Sequence, residues 1–330
     1  MHSPRITIKD VAKKAGVSIA TVSRFINNIS LKKTNQIKVE RAVKELKFKP
    51  SIYARRLAGG KLDSYGLIIP GYEGVFYSFY ALEIIREVAA ALNRKSIDLH
   101  LHVSWNKDSF KNSLVDGVIM ADIVGNEKQF KRLIREEVPL VVLNRKVEEK
   151  NISYVAINNF KGASDATEFL INHGHSCIAH LAGDLRVQCA KERLDGYKSS
   201  LEKNKIKIKN NYIKNTNFSR KEARINLEEL FAEKVRPTAI FCCSDEVAGE
   251  VLNFAEENNI SIPKELSLIG FDDNPHCING NLMLTTVRQP IQEMTRIAVD
   301  ILRDIISGKQ AIKQVVIETE MVIRDTVTFI

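Results

Sequence analysis

The stretch TIKDVAKKAGVSIATVSRFINN, Thr7 to Asn28, decides how this 330-residue chain is read. It spells two short helices broken at Gly16. The Thr7 hydroxyl is placed to cap the first helix, and Asp10, three residues on, can return a bond to the backbone at the positive end of the helix dipole. Ser18 is placed to cap the second helix, whose Val22, Phe25 and Ile26 share one side and can meet Ile8, Val11, Ala12 and Ala15 of the first. The other side carries Ala20, Ser23, Arg24 and Asn27 at spacings of i, i+3, i+4 and i+7, with Ile19 at the leading end. Two helices arranged this way predict a module that reads double-stranded DNA.

Charge supports that expectation. Residues 1–61 hold 15 Lys and Arg against 3 Asp and Glu, a net of +12, whereas the whole chain is +9 and the remaining 269 residues are at −3. Basicity confined to the segment that carries the two-helix motif is the footprint of phosphate contact, not of a generally solvated surface. A third helix is predicted from about Asn35 to Lys47, capped by Thr34, with Ile37, Val39, Ala42, Val43 and Leu46 as the stripe that closes a three-helix headpiece. FKPSIYARRLAGGK follows. Pro50 stops the third helix and Gly59-Gly60 loosens the chain, leaving Ser51 to Ala58 as a helix-prone island too short to be stable alone.

From Tyr65 onward short apolar runs alternate with amphipathic helices, beginning YGLIIP, a helix from about Phe79 to Arg94, DLHLHV and DGVIMAD. Helices are predicted near Asn126–Glu137, Lys161–His173, Ala190–Asn204, Glu246–Asn259 and Ile291–Ser307, with late strands VVIE and MVIR. Strands that alternate with crossover helices make parallel sheets covered on both faces, and a run this long divides into two lobes. The fold class is therefore α/β, with an N-terminal all-α helix-turn-helix headpiece and a two-lobed body of parallel sheets. The expected domains are a headpiece at 1–49, a hinge at 50–61 and a body at 62–330.

These residues carry a resemblance over nearly the whole chain. IKDVAKKAGVSIATVSRFINN, FKPSIYARRLAGG, YGLIIP, VDGVIM, NHGHSCIAHLAGD, ERLDGY, RPTAIFCCSDEVAGEVL, IPKELSLIGFDD, LTTVRQP and MVIRDT occur in the order seen in the lactose-repressor (LacI/GalR) type of bacterial transcription regulators, which the chain resembles. The resemblance implies a homodimer whose body has the periplasmic-binding-protein fold, with a small effector, a sugar or sugar derivative, between lobes that the chain crosses three times. It places one lobe at about 62–159 and 291–321, and the other at about 160–290 and 322–330. The expected function is a ligand-responsive repressor of carbohydrate-related genes that binds a near-palindromic operator.

Carried over by position, the resemblance brings Ile19, Ala20 and Arg24 to base edges, and places Ser18, Thr21, Ser23 and Asn27 near phosphates, with Thr7 at the same DNA-binding end. Arg24 is the one long donor, suited to bidentate contact with guanine, while Ile19 and Ala20 offer only apolar contact. In the linker, Leu57 matches a leucine that wedges into the minor groove, with Ala54 beside it and Arg55 and Arg56 facing phosphates; packing of Leu57 against the body is the competing reading. For the effector, the resemblance implies Asn144, Arg193, Phe218, Ser244 and Asp272. A guanidinium and a carboxylate hydrogen-bond hydroxyls, and an aromatic ring covers the apolar face of a sugar or the plane of a base. Asn144 as a strand-end cap and Asp273 as a turn residue are the structural alternatives.

Three departures stand out: GYEGVFYSFY lacks the usual Asn-Pro before Phe76, WNKDSFKNSL is a trimmed second crossover, and NLMLTT lacks the proline that commonly precedes LTT. No metal or cofactor is expected. The chain has no GxGxxG after a strand, no GxxxxGK[ST], no GxSxG and no HExxH, and His173, His175 and His180 read as structural. An enzyme and a transport-type binding protein are thus the weaker readings, with a protein or nucleobase effector as variants of the regulator. The five cysteines, Cys177, Cys189, Cys242, Cys243 and Cys277, form no CxxC pair and fit reduced thiols, and with no leader-like or membrane-spanning apolar run the expected location is the cytoplasm.

Overall fold

The computed structural model describes residues 6–26, 29–48, 62–72, 75–105, 110–275, 278–279, 282–309 and 312–330. Asn27, Cys277 and the residues Ala54, Arg55, Arg56 and Leu57 of the expected hinge lie outside the described residues. The headpiece consists of α1 (Ile8–Ala15), α2 (Ile19–Ile26) and α3 (Lys33–Glu45). Asp10 accepts from the Thr7 backbone N–H at 2.8 Å and from its hydroxyl at 2.7 Å, and Gly16 takes the left-handed conformation (φ 67°) that ends α1. Ser18 Oγ accepts from Thr21 N–H at 3.1 Å. Val11, Ala12, Ala15, Val22, Val39, Ala42 and Phe48 form the small core, with Phe25 and Ile26 packed against it.

Two details of α3 differ from expectation. The helix starts at Lys33 with Lys32 as its N-cap, so Thr34 lies inside the first turn and caps nothing. Ile37 is 59% exposed rather than part of the core stripe. Val39, Ala42, Val43 and Leu46 follow the helical repeat, whereas Ile37 is two residues before Val39 and therefore almost on the opposite side.

The body holds two six-stranded sheets. The first runs β13-β5-β4-β3-β1-β2, with β1 (Ser64–Pro70), β2 (Asp98–Ser104), β3 (Gly117–Ala121), β4 (Leu140–Leu143), β5 (Ser153–Ile157) and β13 (Gln314–Ile317), all parallel. The second runs β14-β12-β9-β8-β6-β7, with β6 (Ile178–Ala182), β7 (Ile213–Asn215), β8 (Ala239–Cys242), β9 (Ser267–Asp272) and β12 (Thr285–Arg288), plus antiparallel β14 (Glu320–Val322). A short hairpin, β10 (Ile278–Asn279) and β11 (Leu282–Met283), stands apart.

Helices α4 (Phe79–Asn93), α5 (Glu127–Arg135) and α10 (Ile291–Ile306) belong with the first sheet, and α6 (Asn159–Asn172), α7 (Gln188–Lys203), α8 (Arg220–Ala232) and α9 (Asp245–Glu257) with the second. The chain passes between the lobes after β5, after β12 and between β13 and β14. Two of these crossings are tied together, since Asn158 N–H donates to Ile317 O at 2.9 Å and its Nδ2 donates to Glu318 at 3.1 Å. Helix α8 and strand β7 were not apparent in the apolar pattern of the sequence.

The shortened second crossover has a visible compensation. Among the described residues only a single 3₁₀ turn, Asn112–Leu114, lies between β2 and β3, and the ring of Phe110 covers the sheet instead. A Cβ at Gly66 would come within 2.6 Å of the tip of that ring, so β1 carries glycine where the aromatic side chain abuts the strand. Gln129 Oε1 and Arg132 anchor the backbone of Phe110 at 3.3 and 2.8 Å. Truncation by Phe110→Ala should therefore lower the unfolding free energy of the body by about 3 kcal/mol in urea titration, the ordinary cost of a core phenylalanine; a loss near zero would show that the loop does not cover the sheet in solution.

Candidate functional site

The carboxyl ends of the parallel strands of both sheets face the seam between the lobes, the position at which open α/β sheets hold ligands. Asn144 follows β4, Phe218 follows β7, Ser244 follows β8 and Asp272 ends β9, while Arg193 projects from the second turn of α7. Three of these five hold left-handed backbone without being glycine: Asn144 (φ 56°), Phe218 (φ 59°) and Asp272 (φ 139°). Such conformations cost roughly 1–3 kcal/mol each and persist where surrounding structure imposes them, often at ligand sites.

Arg193 is 2% exposed and heavily engaged. Its Nε donates to Asn159 Oδ1 at 2.9 Å, one terminal nitrogen donates to the Cys243 carbonyl, and the guanidinium carbon sits 3.6 Å from the centre of the Phe271 ring. Asp272, 7% exposed, accepts from Gln289 Nε2 at 2.5 Å. Burial holds its carboxyl well above the usual carboxylate range, helped by the neighbouring Asp245 and opposed by Arg193 and the Gln289 bond. Asp245 is also raised by burial, although Thr286 Oγ1 and Asn274 N–H both donate to it at 2.6 Å. Asp273 has a different task, as Arg288 and Arg324 donate to it at 2.7 and 2.5 Å and fasten β9 to the edge of its sheet.

Ser244 caps α9, its Oγ accepting from Val247 N–H at 3.3 Å, and the phenyl ring of Phe218 lies against Gly183. The lobes touch on both sides of the seam. Glu246 Oε1 accepts from Phe79 N–H at 2.7 Å; on the other side Gln188 Oε1 accepts from Lys146 N–H at 2.8 Å and Lys146 Nζ pairs with Glu192 at 3.1 Å. Sequence reasoning missed three polar side chains here. The Tyr80 hydroxyl and Gln289 are buried at the seam, and Glu246 bridges it. Gln289 was visible within LTTVRQP at a strand end, but Tyr80 shares the helical face of Ile84, Val88 and Ala91 and so reads as core.

A cavity of about 790 Å³ opens on the flank of the seam, between Phe79, Leu82 and Arg86 of α4 and Glu246, Leu252 and Asn253 of α9. None of the five predicted effector residues lines it. The histidines hold structure. His175 bonds Thr238 and Ser267 at 2.9 Å, His173 stacks on Phe329, and His180, pushed down to about 4 by burial, stacks between Tyr197 and Phe241. Among the described residues no group of three or more His, Cys, Asp or Glu is arranged for a metal ion, and no helix is long and apolar enough to cross a membrane.

On the headpiece, Ile19, Ala20 and Arg24 are exposed on one face of α2, with Arg24 donating to Ser30 O at 3.3 Å. Ser23 and Thr21 are half-buried, and the Thr21 and Ser18 hydroxyls lie 2.9 Å apart.

Comparison with known proteins places this geometry. Residues 7–51 match the family of bacterial regulatory proteins described as the lacI family, and residues 167–327 match a periplasmic binding protein-like domain. The chain is 31% identical over 331 residues to a probable HTH-type transcriptional repressor, ExuR, of Bacillus subtilis (strain 168), covering 98% of each chain. It is 33% identical over 310 residues to catabolite control protein A of Priestia megaterium, covering 90% of this chain and 91% of the relative. A solved complex of the transcriptional regulator CelR with cellobiose superposes with a TM-score of 0.74 at 26% identity, covering 98% of this chain and 100% of that one.

The raised Asp272 carboxyl has a measurable consequence. Below the ordinary carboxylate range the acid is protonated in folded and unfolded chains alike. As pH rises toward its folded value, only the unfolded chain gives up the proton, and the native state loses stability. Asp272→Asn should thus raise the melting temperature over wild type by an increment that grows from about pH 5 to about pH 8; an increment independent of pH would place an ordinary carboxylate at this position.

Proposed function

The chain belongs to the lacI family of bacterial regulatory proteins and is a ligand-responsive, DNA-binding transcriptional repressor, and from that premise we propose that its effector is a sugar or sugar derivative held between the lobes. The observation that carries the proposal is the placing of buried Arg193 within electrostatic reach of buried Asp272 at the end of β9, with Asn144 and Phe218 following the carboxyl ends of β4 and β7. Bidentate donors and acceptors beside an aromatic ring suit a molecule with hydroxyl groups on its rim and an apolar face. Cellobiose in the similar CelR complex is in keeping with that class.

We further propose that the protein acts as a homodimer on a near-palindromic operator in the cytoplasm and controls carbohydrate-related genes. The groove between α4 and α9, flanked by Tyr77 at 90% exposure and Leu82 at 45%, supports a second copy as its cover. In each headpiece Arg24 reads guanine, while Ile19 and Ala20 provide apolar contact and Thr7, Ser18, Thr21, Ser23 and Asn27 meet phosphates. Leu57, with Ala54 and Arg55, acts at the operator centre, where paired wedges bend the duplex. Ligand-dependent rotation of the lobes changes the spacing of the two hinges, coupling the sites by about 1–3 kcal/mol.

The test begins with duplexes selected from a randomised pool by the full-length protein, read by fluorescence anisotropy with and without neutral sugars. Arg24→Ala should reduce discrimination between selected and random duplex by roughly tenfold or more, and retained discrimination would remove it as the base reader. Leu57→Ala should leave sugar binding intact and reduce the bend measured by energy transfer between labelled duplex ends; an unaltered bend argues against the wedge. Wild-type protein that responds to no sugar would refute the effector class.

A further inference from the structure

The second lobe holds a thiol and an amine side by side at the end of its sheet that faces away from the seam. Cys177 immediately precedes β6, and Lys209 immediately precedes a 3₁₀ turn, Asn210–Tyr212, that leads into β7. Both therefore sit at the amino ends of two neighbouring parallel strands, whereas the candidate effector residues lie at the carboxyl ends. Lys209 Nζ donates to Cys177 Sγ at 3.6 Å and lies 4.5 Å from the centre of the Tyr212 ring. Tyr212 is itself fixed, being 2% exposed with its hydroxyl donating to Val235 O at 2.8 Å. Among the described residues the Lys209 ammonium is paired with this sulfur and this ring and with no carboxylate. The other described cysteines are of a different kind. Cys189, Cys242 and Cys243 are buried, and burial pushes the Cys189 thiol up to about 11 and that of Cys243 up to about 12. Such thiols are packing groups, since it is the thiolate that attacks. Cys177 alone among the described four is half-buried, and it has a cation as its neighbour, the surroundings in which cysteines react.

We propose that Cys177 and Lys209 form an oxidant-sensitive clasp, in which a hydroperoxide oxidises the thiol and the lysine amine then closes a sulfur–nitrogen bond to it. Two steps make the bond. The Cys177 thiolate sulfur attacks one peroxide oxygen and the O–O bond breaks; the departing oxygen takes a proton from the Lys209 ammonium and leaves as water or an alcohol. That puts a sulfenic acid beside a free amine. The amine nitrogen then attacks the sulfur, the S–O bond breaks, and the hydroxide takes one proton from nitrogen and leaves as water. Sulfur gives up two electrons, the peroxide takes both, and the product is a sulfenamide that a thiol reductant reopens. The flexible four-carbon stem of lysine lets Nζ close the distance to sulfur without movement of either strand. Closure staples the amino end of β6 to the turn before β7, and the segment it encloses, β6 and α7, is the one that carries Arg193.

The test treats the full-length protein with hydrogen peroxide, digests it with trypsin and reads each cysteine by mass spectrometry. Wild type should give a cross-linked pair that joins the Cys177 and Lys209 peptides, lighter by two hydrogens than their sum, uncut at Lys209 and separated by dithiothreitol. Dimedone present during oxidation should trap the sulfenic acid at Cys177 instead. Lys209→Arg keeps a cation whose guanidinium stays protonated, so it should accumulate the dimedone adduct at Cys177 and form no cross-link. Lys209→Met removes the cation and should slow the loss of the Cys177 thiol roughly tenfold, a change that a merely packed cysteine would not show. Cys177→Ser should give neither adduct nor cross-link. Wild-type Cys177 that oxidises no faster than Cys189 or Cys243 overturns the site. Cys177 that proceeds to sulfinic acid, or that links to another cysteine and not to Lys209, overturns the clasp.

Discussion

Everything in the body turns on taking charge out of water at the seam between two lobes. Arg193 and Asp272 are both almost wholly buried, and burying ions costs several kcal/mol each unless neighbours compensate. Arg193 is compensated by a side-chain amide, a main-chain carbonyl and the face of Phe271. Asp272 is not compensated to the same degree, and its carboxyl holds its proton above the usual range in consequence. A seam whose polar groups are only partly satisfied from within is poised to respond to a molecule that satisfies the remainder, since a ligand shifts an equilibrium by as much as it favours one state over the other.

The lobes are joined in a way that turns local satisfaction into relative movement. Of the three chain crossings two are tied, by Asn158 to Ile317 and Glu318, and on the flanks Glu246 bonds the first turn of α4 and Lys146 bonds Gln188 and Glu192. Each lobe carries its own sheet, and one buried apolar cluster runs through both, from Leu67, Ile84 and Val155 in the first to Leu170, Tyr197 and Phe271 in the second. At the start of the body the Leu62 N–H donates to Asp116 at 2.9 Å in the first lobe.

The headpiece works on a different physical basis. Its core is small, and its stability leans on local devices such as the Thr7–Asp10 pair, the Gly16 turn and the Ser18 cap. Arg24 is the one long cation of α2, and Ile19 is exposed beside it. On the reading proposed above this face meets DNA, and selectivity with so few readers would rely on two headpieces acting together at a fixed spacing.

The sequence by itself determined the order of helices and strands, the headpiece with its turn and its caps at Thr7 and Ser18, and the division of the body into βα repeats. These are local: capping residues, hydrophobic period and charge are written within a few positions of where they act. Even there Ile37 misled, because composition named it apolar while its angle around α3 put it in water. Family resemblance brought Asn144, Arg193, Phe218, Ser244 and Asp272 into view, but not what each one does. That Ser244 is occupied as a helix cap, that Arg193 rests on Phe271, and that Tyr80, on a helical face that reads as core, has a buried hydroxyl without a partner among the described residues were decided by tertiary structure alone. The physical reason is that burial and hydrogen-bond satisfaction are properties of what two distant segments do to each other when packed, and no spacing along a single segment encodes them.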